Sequence, residues 1–352
     1  MNRPRAVIVG GVAAGMSAAT RLRRLDEHRE IVVLERGEHV SFASCGLPYH
    51  VGGVIAERSA LLLQTPESLR ARFDLDVRTG HDVQRIDRSA RTVHARTAAG
   101  TDVAITYDEL VLATGAAPAV PPIPGVERAH VLRDVADLDR VMAALDATRP
   151  ASATIVGAGF VGLELAENLA RRGLAVTLVE LADQVLPPLD PEMARLVQDR
   201  LEEHGIAVRT GAAATAVDAQ DLVLADGARV PGQLLVMAVG VVPESGLARE
   251  AGIETGARGA VLVDDAQRTS DPTCTRWATS RSSATPSTAP TRSCRSPRPP
   301  TGTAASSPTP SWAAPSGPCP CSAPPSSACS ASPRPSPAGP RSARVPLGAT
   351  SA

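Results

Sequence analysis

One cysteine, Cys45, lies in the turn-forming segment SFASCGLPYHVGG at residues 41–53. The glycine and proline after it predict a turn that leads directly into a helix. Backbone N–H groups at a helix start favour the thiolate, which is the nucleophilic form of cysteine. A buried structural thiol is the commoner role of a free cysteine. Because no partner cysteine follows within a few residues, an internal dithiol relay is excluded, and any redox role falls to Cys45 alone.

A glycine-rich turn precedes Cys45 in the chain. The apolar run AVIV leads into GGVAAG, residues 10–15, and a helix predicted to end near Arg24 follows. The strand IVVL comes next and closes on Glu35. Val12 stands where the GxGxxG pattern has its middle glycine, so this first copy is incomplete.

A second copy of the same unit comes later in the chain. ATIV leads into GAGFVG, residues 157–162, a helix to about Arg172, and a strand that ends at Glu180. In such β-α-β units the glycines let the backbone approach a pyrophosphate, and the helix start stabilises its charge. The terminal carboxylate accepts hydrogen bonds from ribose. Glycines also serve ordinary tight turns, but two full units with terminal glutamates predict two dinucleotide sites.

The second unit also indicates which nicotinamide cofactor is preferred. A carboxylate at Glu180 favours a free ribose 2′-hydroxyl and repels a 2′-phosphate, so NADH is favoured over NADPH. Arg171 and Arg172 lie nearby in sequence and leave NADPH open as the alternative.

The length and charge of the chain exclude several classes of function. Its 352 residues allow about two domains, each with a sizeable core. A formal net charge of −1 predicts no attraction to nucleic acid or to an acidic membrane. The apolar run before the first glycines is far too short to span a bilayer. We therefore expect a cytoplasmic protein.

The composition of the chain changes at Asp271-Pro272. Residues 273–352 contain no Asp, Glu, Lys, Ile, Phe, Tyr, Met, Asn, Gln or His, and hold 17 of the 31 prolines and five of the six cysteines. Such a segment cannot bury enough apolar surface to offset its ordering entropy, which predicts a disordered tail over 273–352. Cys45 is then the only cysteine of the foldable part, as suits a reducing compartment.

Residues 5–272 resemble the single-cysteine branch of the pyridine nucleotide-disulfide oxidoreductases. The resemblance is nearest to coenzyme A-disulfide reductase and its NADH oxidase, peroxidase and persulfide reductase relatives. Beside the glycine turns and Cys45, it includes YDELVLATGAAP at 107–118 and LVMAVG at 235–240. It implies an α/β fold with two Rossmann-like dinucleotide-binding domains, and FAD-dependent reduction of a disulfide by NAD(P)H.

The resemblance also implies roles for individual residues. Cys45 would be the catalytic nucleophile beside the flavin. The residues expected to bind FAD are Gly10, Gly11, Ala14, Gly15, Glu35, Val83, Thr114 and Gly115. Those expected to bind NAD(P)H are Gly157, Gly159, Gly162, Glu164, Glu180 and Gly240. Those matching coenzyme A contacts are Ser17, Arg21, Arg24, Ser41 and Ser44. The two arginines fit a solvated helix face equally well, and Ser44 stands where the reductases most often have Asn. No metal site is expected.

The same resemblance predicts the domain organisation and the partners. The FAD-binding domain would be discontinuous, with residues 1–118 and a return at 244–272; the crossing segment would be 119–149 and the NAD(P)-binding domain 150–243. The expected substrate is a small-molecule disulfide such as coenzyme A disulfide. In the family a C-terminal domain forms the homodimer and, in the reductases, sends tyrosines into the partner's active site. We expect that interface domain to be missing here. The alternatives are NADH oxidase or peroxidase activity, and NAD binding without catalysis.

A single lost base would explain the change after Pro272. The family continues there with a strand and Gly-Asp, whose carboxylate binds the ribityl chain of FAD, whereas this sequence continues TCTRWAT at 273–279. Restoring the base accommodates Asp-Val-Tyr-Ala-Val-Gly-Asp, and the single codon of Trp277 forces the glycine. A second family-like run is restored over 293–305. We therefore predict a frameshift, weak FAD binding and poor activity, with a natural Pro/Ser/Ala-rich tail as the alternative. Resequencing the gene across the Pro272 codon tests the frameshift.

Overall fold

The computed structural model describes residues 3–219 and 221–276. The predicted frameshifted tail therefore lies, from residue 277 onward, outside the described residues. The helices are α1 (Ala13–Leu25), α2 (Leu47–Val51), α3 (Pro66–Phe73), α4 (Val135–Thr148), α5 (Phe160–Arg171), α6 (Pro191–Glu203) and α7 (Gly246–Glu250). The strands are β1 (Arg5–Val9), β2 (Glu30–Leu34), β3 (Asp76–Arg78), β4 (His81–Asp87), β5 (Thr92–Thr97), β6 (Asp102–Thr106), β7 (Glu109–Leu112), β8 (Ala116–Pro118), β9 (Ser152–Val156), β10 (Ala175–Val179), β11 (Ala207–Arg209), β12 (Ala214–Asp218), β13 (Asp221–Leu224), β14 (Arg229–Pro231), β15 (Leu234–Met237), β16 (Val241–Pro243) and β17 (Cys274–Arg276).

The first sheet contains five parallel strands in the order β17-β7-β1-β2-β3. The last four residues of both β1 and β2 are buried, as expected for parallel strands that are covered on both faces. Helix α1 connects these two strands and packs its small residues, among them Ala18 and Ala19, against the sheet. Apolar strands, glycine turn and amphipathic helix thus form the first β-α-β unit at the predicted place.

The second sheet repeats this arrangement in the order β11-β10-β9-β15, again with all pairs parallel. Helix α5 connects β9 to β10 and buries Leu165, Ala166 and Leu169. The predicted α/β fold with two Rossmann-like units is therefore confirmed. Among the described residues, no helix combines the length and the apolarity that crossing a membrane requires.

Smaller antiparallel sheets complete the fold. β8 pairs with β16, which joins the two places where the chain passes between the units. The three-stranded meanders β4-β5-β6 and β12-β13-β14 each pack against one parallel sheet. Val83 and Val93 of the first meander pack with β1 and β2 residues, whereas Leu222 and Leu224 of the second pack with Val179 of β10.

Two parts of the chain pack into the second unit although they precede it in sequence. Leu138 and Val141 of α4, within the predicted crossing segment 119–149, lie in the same hydrophobic cluster as Ile155 of β9. Leu47, Val51 and Leu61, which flank Cys45, belong to this cluster as well. The segment that carries Cys45 is therefore part of the core of the second half.

The predicted start of the tail needs a correction. Residues 274–276 form β17, which pairs in parallel with β7 at the edge of the first sheet. Cys274 is buried with 1% of its surface exposed, so the described residues contain two cysteines and not one. Backbone pairing with β7 orders these few residues regardless of their side chains.

The carboxylate of Asp271 connects Arg88 to the residue that precedes β17. We expect its replacement to destabilise the fold in a pH-dependent way. Its carboxylate accepts hydrogen bonds from Arg88 Nε at 2.6 Å and from Thr273 N at 2.9 Å. Burial raises the pKa of Asp271, but the hydrogen bonds from Thr273 and Arg88 outweigh it and hold that pKa below its ordinary value. Asp271→Asn should lower the free energy of unfolding by about 2 kcal/mol at neutral pH.

A carboxylate whose pKa is depressed in the folded state stabilises the fold at pH values above its unfolded-state pKa of about 4. This contribution to the free energy of unfolding is lost as the pH falls through the folded-state pKa. Urea denaturation at pH 7 and near pH 3 should therefore show a deficit for Asp271→Asn that shrinks in acid. Asp102→Asn, which breaks the exposed pair with Arg96, is the control and should change little. A deficit of equal size at both pH values would contradict the assignment.

Candidate active site

The first glycine turn joins β1 to α1. Gly10 has a φ of +106°, and a Cβ there would lie 2.2 Å from the carbonyl oxygen of Ala113. At Gly15, in the first turn of α1, a Cβ would lie 1.8 Å from the carbonyl oxygen of Gly10. Ala14 lies between them and is partly exposed. Because only glycine fits at both positions, the helix start sits directly against the ends of β1 and β7.

Glu35 follows β2 and holds this turn from the side. One carboxylate oxygen accepts the N–H of Gly11 at 2.7 Å, and the other accepts the N–H of Gly37 at 2.8 Å. The carbonyl oxygen of Glu35 accepts the N–H of His81 at 2.9 Å, which brings the start of β4 to the same edge. Val83, two residues further on, has its side chain in the core, so only its main chain could face a ligand.

The second glycine turn reproduces the geometry of the first. Gly157 has a φ of +107°, and a Cβ there would lie 2.4 Å from the carbonyl oxygen of Ala238. A Cβ at Gly162 would lie 1.9 Å from the carbonyl oxygen of Gly157. Gly159, by contrast, has open space around its Cβ position. Packing therefore requires two of these glycines, whereas the third is free to admit a ligand.

Glu180 holds the second turn as Glu35 holds the first. Its two carboxylate oxygens accept the N–H of Ala158 at 2.6 Å and the N–H of Ala182 at 2.9 Å. Each half of the chain thus has its own glutamate that is oriented by two backbone amides. This common feature could not be read from spacing alone, which predicted the glutamates as ribose ligands only.

Three further predicted residues lie where the chain crosses between the halves. Thr114 donates its hydroxyl to the carbonyl oxygen of Glu244, and Gly115 accepts the N–H of Glu244 at 3.1 Å. Gly240 has a φ of +115° and accepts the N–H of Ala119 at 2.9 Å. Thr114 and Gly115 follow Ala113, which contacts Gly10, and so lie beside the first glycine turn.

Cys45 occupies the 3₁₀ turn Ser44–Gly46, which runs directly into α2 as the sequence predicts. The N–H of Ser41 donates to the carbonyl oxygen of Gly11 at 2.9 Å, which ties the start of the segment to the first glycine turn. Cys45 is exposed, and no described residue hydrogen-bonds its sulfur. The thiol is therefore accessible to a reagent on a segment tied to the first glycine turn.

The other end of this segment packs against α5. A Cβ at Gly52 would lie 2.1 Å from Oδ1 of Asn168, which marks a very close approach of the two elements. Asn168 is buried and donates its amide to the carbonyl oxygen of Glu164 at 2.7 Å. The helix that carries Gly162 and Glu164 is thus in direct contact with the segment that carries Cys45.

The residues predicted to contact coenzyme A are only partly brought together. Ser17, Arg21 and Arg24 share the exposed face of α1, and Ser17 donates its hydroxyl to the carbonyl oxygen of Ala13 at 2.7 Å. Ser41 and Ser44 lie on the Cys45 segment instead. At about 1.5 Å per residue, Arg24 lies about 16 Å along the helix from its start. A ligand that reaches both groups must therefore be long.

Several long-range contacts were not predicted from the sequence. They are the Gly52–Asn168 approach, the bidentate pair of Arg58 with Asp139 at 2.7 Å, and the pair of Arg36 with Glu244 at 3.0 Å. The partners are 81 residues apart in the second case and 208 in the third. Neither hydrophobic periodicity nor a local motif signals such pairs, because they depend on the path of the chain.

The fold and the site define a class of protein: an α/β chain with two glycine cradles of the dinucleotide type and an exposed cysteine on a segment that contacts both halves. A family model described as pyridine nucleotide-disulphide oxidoreductase matches residues 4–274. The chain belongs to this family.

Two curated relatives match most of this chain. An NADH oxidase of Methanocaldococcus jannaschii is 34% identical over 274 residues, which cover 76% of this chain and 61% of the relative. A coenzyme A disulfide reductase of Staphylococcus aureus is 30% identical over 272 residues, with the same shares covered. The chain thus spans about three-fifths of the length of these relatives.

Two solved structures superimpose on most of this chain. Reduced CoADR-RHD of Bacillus anthracis superimposes with a TM-score of 0.77 at 43% identity, covering 78% of this chain and 51% of that one. An NAD-dependent persulfide reductase of A. fulgidus superimposes with a TM-score of 0.75 at 38% identity, covering 77% and 52% respectively.

Proposed function

We propose that this chain is the two-nucleotide part of an FAD-dependent NAD(P)H:disulfide oxidoreductase in which Cys45 is the redox residue. The observation that carries the proposal is the exposed Cys45 turn, which is bonded to the first glycine turn through Ser41 and packed on the second unit through Gly52. The domain boundaries given above, with FAD bound by the first unit and NAD(P)H by the second, are part of this proposal.

The residues present fit two dinucleotides. Each unit has a cradle that a Cβ would fill, at Gly10 and Gly15 in the first and at Gly157 and Gly162 in the second. The start of a helix of at least twelve residues points into each cradle and favours a pyrophosphate. When bound, FAD would supply the transfer of an electron pair from NAD(P)H to sulfur.

The chemistry of Cys45 itself follows from its exposure. Its thiolate would attack one sulfur of a disulfide RSSR, form a mixed disulfide with that sulfur and release the other half as RS⁻. An electron pair delivered to the mixed disulfide would release the second RS⁻ and restore the Cys45 thiolate. The balance is NADH, RSSR and one proton converted to NAD⁺ and two RSH.

Coenzyme A disulfide, or a related persulfide, is the proposed acceptor. Support comes from the exposed row of Ser17, Arg21 and Arg24 on α1, since guanidinium groups suit phosphate recognition. The length of α1 between Arg24 and the glycine turn fits an extended acceptor. An NADH oxidase or peroxidase is the second candidate, in which Cys45 would cycle through sulfenic acid; the NADH oxidase relative favours it.

The sequence that follows β17 bears on how tightly this chain binds FAD. At 277–279, immediately after β17, the sequence has Trp-Ala-Thr and no carboxylate. We therefore propose weak flavin binding and low activity for the chain with this sequence.

One experiment tests the function. The purified chain is mixed with FAD, NADH and coenzyme A disulfide, and the flavin spectrum, thiol release and oxygen or peroxide consumption are recorded. Thiol release above a flavin-free control supports the reductase. Oxygen or peroxide consumption without thiol release favours the second candidate. A chain that binds NADH but turns over neither acceptor even with added FAD would be only a nicotinamide-binding remnant and would contradict the proposal.

Replacement of Glu180 tests the cofactor preference. The carboxylate is held by two amides at the end of β10, where it would favour a free 2′-hydroxyl. Glu180→Ala should weaken NADH binding about tenfold and improve NADPH binding relative to NADH, measured by calorimetry with each nucleotide. Glu203→Ala, which removes an exposed carboxylate on α6 paired with Arg200, is the control. An unchanged ratio of the two dissociation constants would contradict the assignment.

A further inference from the structure

The Cys45 segment, residues 41–63, is attached to the rest of the chain at three places outside the glycine turns. Its apolar residues Leu47, Val51 and Leu61 pack in the core of the second half. Gly52 approaches Asn168 of α5. The third attachment is polar: Arg58 makes a bidentate ion pair with Asp139 of α4, with Nε–Oδ1 and Nη2–Oδ2 distances both 2.7 Å.

Arg58 also contacts the chain just before the segment. Its Nη2 lies 3.2 Å from Nε2 of His39. A guanidinium has only donors, so the imidazole nitrogen of His39 must accept. One side chain therefore joins α4 to both ends of the loop, since His39 precedes Ser41 by two residues and Arg58 follows Cys45 by thirteen.

The path from Arg58 to the cysteine is short. Arg58 begins the 3₁₀ turn Arg58–Leu61. The carbonyl oxygen of Leu61 accepts the N–H of Ala43 at 2.8 Å, and the Leu61 side chain lies 2.7 Å from the Cβ position of Gly46. Ala43 and Gly46 immediately flank the pair Ser44–Cys45, so a shift of the Arg58 turn moves the thiol.

The ion pair of Arg58 with Asp139 is electrostatically favourable although it is exposed to solvent. The hydrogen bond with Asp139 raises the pKa of Arg58, and the same bond lowers the pKa of Asp139, with Glu38, His39 and His50 as the other charged or titratable groups nearby. The side chains are 38% and 48% exposed. An exposed pair contributes modestly to global stability, so its removal should act on the local position of the loop more than on unfolding.

We propose that Arg58 is a positioning residue for Cys45, fastening the cysteine-bearing loop to α4 of the second half through Asp139. The inference rests on the proposed redox role of Cys45 only for its functional meaning. The placement of the thiol can be measured without cofactors.

The test measures the reactivity of Cys45 in the full chain. Iodoacetamide labelling is followed against pH by mass spectrometry of the Cys45 peptide, which separates it from the other thiols. Hydrogen exchange of residues 41–63 and the thermal midpoint are recorded alongside. Arg58→Ala and the size-conserving Asp139→Asn should each change the labelling rate by about two- to fivefold and speed exchange of the loop. The thermal midpoint should stay within about 2 °C of wild type.

Two further variants decide the interpretation. The charge swap of Arg58→Asp with Asp139→Arg should recover at least about half of the change, as expected for a specific pair. Arg96→Ala breaks a similar pair, with Asp102 on β6, and should leave Cys45 labelling unchanged. The proposal is overturned if Arg58→Ala leaves the pH profile and loop exchange as in wild type, if the swap recovers nothing, or if Arg96→Ala has the same effect. If the wild-type chain released no thiol, the proposed function would be contradicted, but the conclusion about Arg58 and the position of Cys45 would not be affected.

Discussion

Cys45→Ser should abolish thiol release from coenzyme A disulfide, with a loss of at least about a thousandfold, while NADH still bleaches any flavin that the chain retains. A serine hydroxyl cannot form the mixed disulfide, so the reaction stops before the first thiol leaves. Nothing in the variant alters either glycine cradle, which is why the nucleotide-dependent step is expected to survive. The measurement is thiol release and flavin absorbance in parallel on the same preparations.

The second described cysteine supplies a matched control. Cys274 is buried in β17, and burial raises the pKa of its thiol to about 12. It is therefore protonated and shielded, and Cys274→Ser should leave thiol release at the wild-type rate. If Cys45→Ser kept its disulfide turnover, Cys45 would not be the redox residue.

Gly162→Ala should cost the second half about 3 kcal/mol of stability. The added Cβ would lie 1.9 Å from the carbonyl oxygen of Gly157, and backbone cannot yield as a flexible side chain can. The start of α5 would have to move away from β9, which disrupts the core around Leu165. Urea denaturation followed by circular dichroism should show the second half unfolding at lower denaturant.

Gly159→Ala provides the contrast within the same motif. The Cβ position of Gly159 has no atom within 4 Å, and its φ of −78° suits alanine. This variant should unfold like wild type but bind NADH at least about tenfold more weakly, because the methyl group occupies the space that the pyrophosphate needs. Equal stability of the Gly159 and Gly162 variants would contradict the packing role of Gly162, and undiminished NADH binding by Gly159→Ala would contradict the cradle.

The strongest sequence predictions concern local patterns. Both β-α-β units formed at the predicted places, and Cys45 lies in a turn before a helix. The prediction of disorder was wrong for residues 274–276, since they pair with β7 as β17. Composition describes what side chains can bury, whereas this strand is ordered by backbone hydrogen bonds to a neighbour far away in sequence.

The sequence by itself determined the two nucleotide cradles, because a glycine turn, a helix start and a strand with its terminal glutamate are all set by residues within about thirty positions. Only the tertiary structure decided where Cys45 is held. Its loop is bonded to the first unit through Ser41 but is packed on α4 and α5 of the second, through contacts such as Arg58 with Asp139. Such contacts join residues that are distant in the chain, and they exist only once the path between the two sheets has been set.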